Sequence, residues 1–242
     1  MNLAWLDLET TGTDEHDGSI LEIGCIITDE ELRPLDQFET LVVPDMVHIA
    51  EMPGKVREMH TRSGLLDRLD VLMAERAGGR PHDGLLTLPD ADAALAATLE
   101  RWTVRGQVAL AGSGVGHFDS RWIRTHLPAS ARKLTYWPID VGVVRRWLSM
   151  IVGAEIPDPR YDEKPHRGMA DARLHLAEAV RYRDAMRATV SVLNAEMARP
   201  RPGDRMEDGG EMGTLIRCET CGGGGLLHDL DRLPEIVEPQ EG

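Results

Sequence analysis

The stretch Leu3-Ala-Trp-Leu-Asp-Leu-Glu-Thr-Thr-Gly12 limits the fold of this chain more than any other. Apolar and aromatic residues run up to a Thr-Thr-Gly turn, which predicts a strand ending there. Side chains alternate along a strand, so Asp7 and Glu9 share one face while Ala4, Leu6 and Leu8 share the other. Two carboxylates so close, at the end of an otherwise apolar strand, repel each other unless a cation lies between them. Hard divalent metals take oxygen ligands and bridge carboxylates, so a pair of them fills that role most economically. An acidic strand end facing water is the plainer alternative. The remainder of the chain decides the matter by supplying further ligands or failing to.

The 242 residues suffice for one sizeable core with a short appendage. No apolar run is long enough to span a bilayer, and the early acids with no basic leader do not make a secretory signal. Cys25, Cys218 and Cys221 do not form a disulfide framework, so a reducing, cytoplasmic setting without membrane contact is expected. A formal net charge of -14 argues against a protein that wraps long duplex DNA through a basic surface. It leaves a nuclease open. A site that collects carboxylates adds negative charge of its own, and bound metals then supply the local positive field for phosphates.

After a polar turn to Gly18 a second strand is predicted over 19–28, and a third, beyond Asp29-Glu-Glu31, through Phe38 to Val43. Short connections make these an antiparallel meander opening a mixed sheet. Residues 44–64 read as irregular, and Leu65, Leu66, Leu69 and Leu72 then predict a helix. Residues 77–89 read as a Gly/Pro-rich loop, with Asp90 as the cap of a helix running to about Trp102. A short buried strand over 107–112 leads to a helix from His117 that bears Asp119, with Trp122 and Ile123 on its apolar side. An extended segment, 136–141, enters a helix over 141–152. Pro157, Pro159 and Pro165 make 153–167 a loop, and a long helix follows with Ala170, Leu174, Ala177 and Val180 on one stripe. Strands first, then helices alternating with strands, give an α/β sheet with helices packed on it. The acidic, Gly-rich stretch from 199 to 242 reads as a flexible tail.

Asp119 near one helix start and Asp171 in the first turn of the late helix join Asp7 and Glu9, and His166 precedes Asp171 on the proline-rich loop. Four acids and a histidine are what two-metal phosphodiester hydrolysis requires. One metal lowers the pKa of a water and the other stabilises the leaving oxygen, the ions standing about 3.5–4 Å apart. A histidine titrates near neutrality and accepts the proton of the attacking water. On a loop, it can close over substrate after binding.

This order, Asp-x-Glu in the first strand, a central Asp, then His-x4-Asp, resembles the DEDDh branch of 3′→5′ exonucleases over residues 3–187. The resemblance implies a ribonuclease H-like α/β core on residues 1–198, a mixed five-stranded sheet flanked by helices, with 199–242 as the flexible tail. It implies Asp7, Glu9, Asp119 and Asp171 as ligands of two Mg2+ or Mn2+ ions and His166 as the general base. Met59-His-Thr-Arg-Ser-Gly-Leu65, Leu110-Ala-Gly112, Ile139-Asp-Val141 and His166-Arg-Gly-Met-Ala-Asp-Ala-Arg173 are similar to the oligoribonuclease branch, which finishes very short RNAs. Leu8-Glu-Thr-Thr-Gly12 is closer to the proofreading exonuclease subunit of bacterial DNA polymerase. The activity implied is hydrolysis at the 3′ end of short single-stranded RNA or DNA, releasing nucleoside 5′-monophosphates. A DNA-directed proofreading-type exonuclease is one alternative. An inactive nucleic-acid-binding module on the same fold is another, against which the intact set of acids and histidine speaks.

Some positions depart from the branch. Thr13 stands at the place of a leucine wedge, Lys55 at that of a base-stacking aromatic, and Trp137, Gly142 and Val143 where a 5′-phosphate cap would be. Without that cap, nothing restricts the substrate to two nucleotides. Tyr136 matches a family tyrosine that reaches the partner protomer's site, so a homodimer is expected. Thr10, Thr11, Gly12, His60, Ser63 and Tyr136 are the expected substrate contacts, with a loop cap as the alternative for His60 and Ser63. Trp137 either stacks on a base or fills a core beside Pro138. Arg173 contacts a phosphate, pairs with an acid of the site, or lies on a solvated helix face. Cys218-Glu-Thr-Cys221 followed by His228 has half the spacing of a zinc knuckle, but a structural zinc needs four ligands and no clean fourth is visible. Free thiols and a Zn2+ site at Cys218 and Cys221 are the two alternatives there.

Overall fold

In the computed structural model the Leu3–Thr10 stretch is a strand, β1. Residues 1–80, 82, 84–104, 106–156 and 165–197 are described. β2 (Ile20–Thr28) and β3 (Pro34–Val42) form the expected antiparallel meander with β1, placing Glu9 opposite Glu22. β5 (Ala109–Gly112) runs parallel to β1 along its other edge, and β6 (Ile139–Asp140) runs parallel to β5. A further strand, β4 (Leu85–Leu86), pairs parallel with Leu41 and Val42 of β3. The mixed sheet therefore has six strands in the order β4-β3-β2-β1-β5-β6, one more than the five expected. The addition comes from the stretch read as a Gly/Pro-rich loop. Two residues are too few to show alternation, so β4 leaves no periodic signal.

The stretch read as irregular contains two short helices, α1 (Met46–Glu51) and α2 (Gly54–Arg62). Asp45 caps the first by accepting from the Val47 N–H at 2.8 Å. Helices this short are marginal on their own. These two persist because Ile49, Met52 and Val56 pack against Leu65, Leu69 and Leu72 of α3 (Leu65–Ala77). That packing is a tertiary cause, invisible to a local pattern. The cap of α4 (Leu88–Arg101) is Thr87 rather than Asp90: the Thr87 hydroxyl donates to Asp90 Oδ2 at 2.6 Å and accepts from the Asp90 N–H. Pro89 suits the first turn, where its missing N–H costs nothing. α5 (Asp119–His126), α6 (Pro128–Ala131), α7 (Val141–Val152) and α8 (Gly168–Met197) complete the elements.

One face of the sheet, with Ala4, Leu6, Leu8, Ile23 and Ile27, packs on Leu95 and Leu99 of α4 and on Trp122 and Ile123 of α5. The other, with Leu3, Trp5 and Ile26, packs on Met169, Ala172 and Leu176 of α8. The stripe expected on α8 is therefore displaced: Ala177 is exposed, and the buried face carries Asp171, His175 and Glu178 among its apolar residues. Polar side chains on the inner face hid that face from a pattern of apolar residues. The start of α8 meets β2 backbone to backbone, since a Cβ on Gly24 would stand 2.1 Å from the Gly168 carbonyl carbon.

Residues Met1–Val192 form one compact unit; a second begins at Leu193 and is described only to Met197. The expected tail with Cys218 and Cys221, and residues 157–164, lie outside the described residues. Among the described residues no helix is long and apolar enough to cross a membrane.

Candidate active site

Alternation along β1 turns Asp7 and Glu9 toward the α8 side of the sheet. The third acid arrives through a turn after β5. Gly114 takes a left-handed conformation there (φ 76°), and Asp140 fixes the loop by accepting from the Gly114 and Val143 N–H groups, both at 3.1 Å. α5 consequently starts beside β1, and the buried Asp119 accepts from the Leu8 backbone N–H at 3.0 Å. The fourth acid, Asp171, is buried in the first turn of α8.

These residues converge. Ligand atoms of Glu9, His166 and Asp171 lie within 4.8 Å of one another. Asp7, Glu9, Asp119, His166 and Asp171 all line one cleft of about 460 Å³, with Thr10, Gly12 and Thr13 along it. Burial, then the charges of Asp171, Glu22 and Asp119, push Glu9 well above the usual carboxylate range, while Arg167 opposes them. Carboxylates gathered so tightly resist sharing negative charge without a cation. Several acidic oxygens in one cleft are the donor set of a hard divalent ion, so the carboxylates present fit such an ion, with the His166 imidazole beside them.

Sequence reasoning missed the support around this cluster. Glu22, 1% exposed, accepts from Arg167 Nη2 at 2.7 Å, from Arg167 Nε at 3.0 Å and from the Gly168 N–H at 2.8 Å. A lone acid inside the otherwise apolar β2 was the available signal. His166, next to Arg167, has φ 49°, a left-handed conformation that costs a non-glycine residue roughly 1–3 kcal/mol unless its surroundings hold it there. His175, buried one turn beyond Asp171, brings Nδ1 to 4.0 Å from Asp7 Oδ1. Val56, Met59, Ser113 and His117 also border the cleft.

The remaining expected contacts are placed variously. Thr10 and Gly12 line the cleft, the Thr10 hydroxyl donating to the Gly12 carbonyl at 2.7 Å. Thr11 is buried and accepts from the Ser19 N–H at 2.9 Å, closing the turn. His60, expected in the substrate groove, is wholly buried instead, its Nε2 2.9 Å from the Thr10 carbonyl and its Nδ1 3.7 Å from Glu9 Oε2. A carbonyl only accepts, so Nε2 carries the proton, and burial keeps the ring below its usual pKa. It braces the end of β1 from within. The Ser63 hydroxyl donates to the His60 carbonyl at 3.1 Å, a loop cap. Tyr136 is 84% exposed and lines a separate depression beneath Arg124, whose guanidinium is 5.8 Å from the ring centre. Trp137 is more than half exposed and so fills no core. Arg173 lies on the exposed face of α8, 3.5 Å from Gln37.

The chain matches the exonuclease family model RNase_T over residues 4–67. It is 30% identical over 190 residues to the oligoribonuclease of Vibrio parahaemolyticus, covering 76% of this chain and 95% of that protein. To the oligoribonuclease of Streptomyces avermitilis it is 34% identical over 190 residues, covering 76% and 86% respectively. Among solved structures it is similar in fold to the zinc-bound complex of Escherichia coli exonuclease I with single-stranded DNA, with a TM-score of 0.52 at 12% identity. That match covers 80% of this chain but only 43% of the solved protein, so the chain spans less than half of exonuclease I.

Proposed function

The chain belongs to the oligoribonuclease family and is a metal-dependent 3′→5′ exonuclease, and from that premise we propose that it removes nucleotides from the 3′ end of short single-stranded RNA, releasing nucleoside 5′-monophosphates. The observation that carries this proposal is the meeting of Glu9, His166 and Asp171 in the cleft that Asp7 and Asp119 also line. Asp7, Glu9, Asp119 and Asp171 would hold a pair of Mg2+ or Mn2+ ions, which supply Lewis-acid activation of water and neutralise charge at the scissile phosphate.

The chain's own residues do the rest. An imidazole nitrogen of half-exposed His166 takes the proton of the attacking water. Thr10, Thr11 and Gly12 shape the turn that borders the 3′-terminal nucleotide, and Val56 and Met59 offer it apolar walls. His60 and Ser63 act on the substrate only through the backbone they brace. A homodimer belongs to the same proposal. It is favoured by the exposed row Val143, Trp147, Met150 and Ile151 on α7, and by exposed Tyr136 and Trp137 shortly before that helix. So does a cytoplasmic setting, which suits Cys25, a free and buried thiol.

The test incubates the protein with 3′-labelled RNA and DNA strands of matched sequence in Mg2+, with a chelator control. Mononucleotides released stepwise from short RNA, and none with chelator, are expected. Release from DNA alone would move the assignment to a proofreading-type enzyme, and release from neither would end it.

A further inference from the structure

We propose that Glu22 and Arg167 are positioning residues, whose ion pair holds His166 in its left-handed backbone conformation and seats the first turn of α8 on β2. The proposal rests on the assignment of His166 and Asp171 to the hydrolytic site. Three consecutive residues carry it: His166 has φ 49°, Arg167 grips Glu22 through Nε and Nη2, and Gly168 donates its N–H to the same carboxylate. Glu22 is almost fully buried, so both of its oxygens find their donors within this one segment. The fit admits nothing between the two elements, because a Cβ on Gly168 would lie 2.8 Å from the Gly24 nitrogen and 3.0 Å from the Asp7 carbonyl oxygen. Asp171 follows in that same turn, and the Asp171 N–H donates to the Arg167 carbonyl at 2.9 Å.

A cation beside a nuclease site invites a different role, direct contact with a substrate phosphate. Geometry argues against it here. Arg167 does not line the cleft; it borders a separate cavity of about 210 Å³ with Glu22, Glu39 and Arg68. The Nε and Nη2 edge of its guanidinium is already taken by the Glu22 carboxylate. The two roles differ in kinetics. A phosphate contact lowers substrate affinity when lost, whereas a positioning pair lowers turnover while leaving substrate capture in place.

The experiment compares the full chain with its Arg167→Met, Arg167→Lys and Glu22→Gln variants. It measures kcat and KM on a 3′-labelled short RNA, Mn2+ binding by calorimetry, and thermal unfolding. Arg167→Met is expected to lose about 10–100-fold in kcat and a similar factor in Mn2+ affinity. Its KM should stay within about threefold of the parent. Arg167→Lys, which keeps a single charge, should recover part of the lost turnover. Glu22→Gln keeps the shape of the buried side chain and should repeat the Arg167→Met signature, which covers the case in which Arg167→Met does not fold. Wild-type kcat and Mn2+ binding in a folded Arg167→Met or Glu22→Gln variant would overturn the proposal, as would a rise in KM with kcat intact. Asp171→Ala serves as the control. If it too kept full turnover and Mn2+ binding, the site assignment itself would have failed, and the pair would have nothing to position.

Discussion

The two faces of the sheet are built from the same strands but to different ends. Toward α4 and α5 the inward side chains of β1 are Ala4, Leu6 and Leu8, and they pack into a core with Leu95, Leu99 and Ile123. Toward α8 the inward residues are Leu3 and Trp5, then Asp7 and Glu9, and the helix answers with Met169 and Ala172, then Asp171 and His175. One face is mainly hydrocarbon. The other begins as core and becomes chemistry within two turns of helix. Burial of apolar area stabilises the first in proportion to that area, while buried acids on the second oppose folding unless something neutralises them. Stability and activity should therefore separate by face.

The largest effect expected is on the α8 face. Asp171→Ala should abolish hydrolysis by several orders of magnitude, since losing one ligand disorders the whole ion site. It should not destabilise the metal-free fold, because Asp171 is one of the charges that push Glu9 upward. Divalent ions at a hundredfold excess over Kd stabilise a protein that binds them by about 2.7 kcal/mol. That rise in Tm should appear in the parent and vanish in Asp171→Ala. A variant that kept activity, or kept the Mg2+-dependent rise, would erase the distinction between the faces.

The mirror experiment is Leu95→Ala, at a fully buried position of α4. A cavity there should remove roughly 2–5 kcal/mol of stability. Turnover per folded molecule, measured well below the new Tm, should stay at the parent value. A fall in kcat without a change in Tm would show that the apolar face also tunes the site.

What could be read in the sequence divides along the same line. The apolar face was legible because β1 alternates, and the separate core under α3 because Leu65, Leu69 and Leu72 recur at helical spacing, so local pattern and tertiary outcome agree in both. The five residues of the cleft were legible through the order in which the acids and His166 occur. Their supports were not. Glu22 and His175 sit where a core residue is expected, and only the register of β2 against β1 and the docking of α8 give them partners. The stripe on α8 was misjudged for that reason, and His60 was placed in a groove when tertiary packing had buried it. α1 and α2 escaped notice because their stability comes from α3 rather than from their own residues.

Gly24→Ala probes the seam where the faces differ most. A methyl group at Gly24 would collide with the backbone of Gly168, which has no flexible end to yield. Overpacking of this kind costs about 1–3 kcal/mol. Here the displaced element is the start of α8, so kcat should fall together with Tm, unlike in Leu95→Ala, where only Tm falls. Unchanged Tm and kcat would mean that α8 does not sit on β2 as closely as the structure has it.

The smallest effect, and the cleanest control, belongs to the far end of the apolar side. Thr87 caps α4 by accepting from the Asp90 N–H, and its hydroxyl is exposed and away from the cleft. Thr87→Ala removes that acceptor and leaves the N–H to water, which costs about 1 kcal/mol. In a chain of this size that is a fall in Tm of roughly 2–4 °C. Because α4 packs on the face that carries Leu6 and Leu8 rather than Asp7 and Glu9, kcat, KM and the Mg2+-dependent rise in Tm should all stay at parent values. The change touches neither α8 nor the Gly112–Gly116 turn, so any loss of turnover would have to travel through the sheet itself. Such a loss would count against treating its two sides as separable.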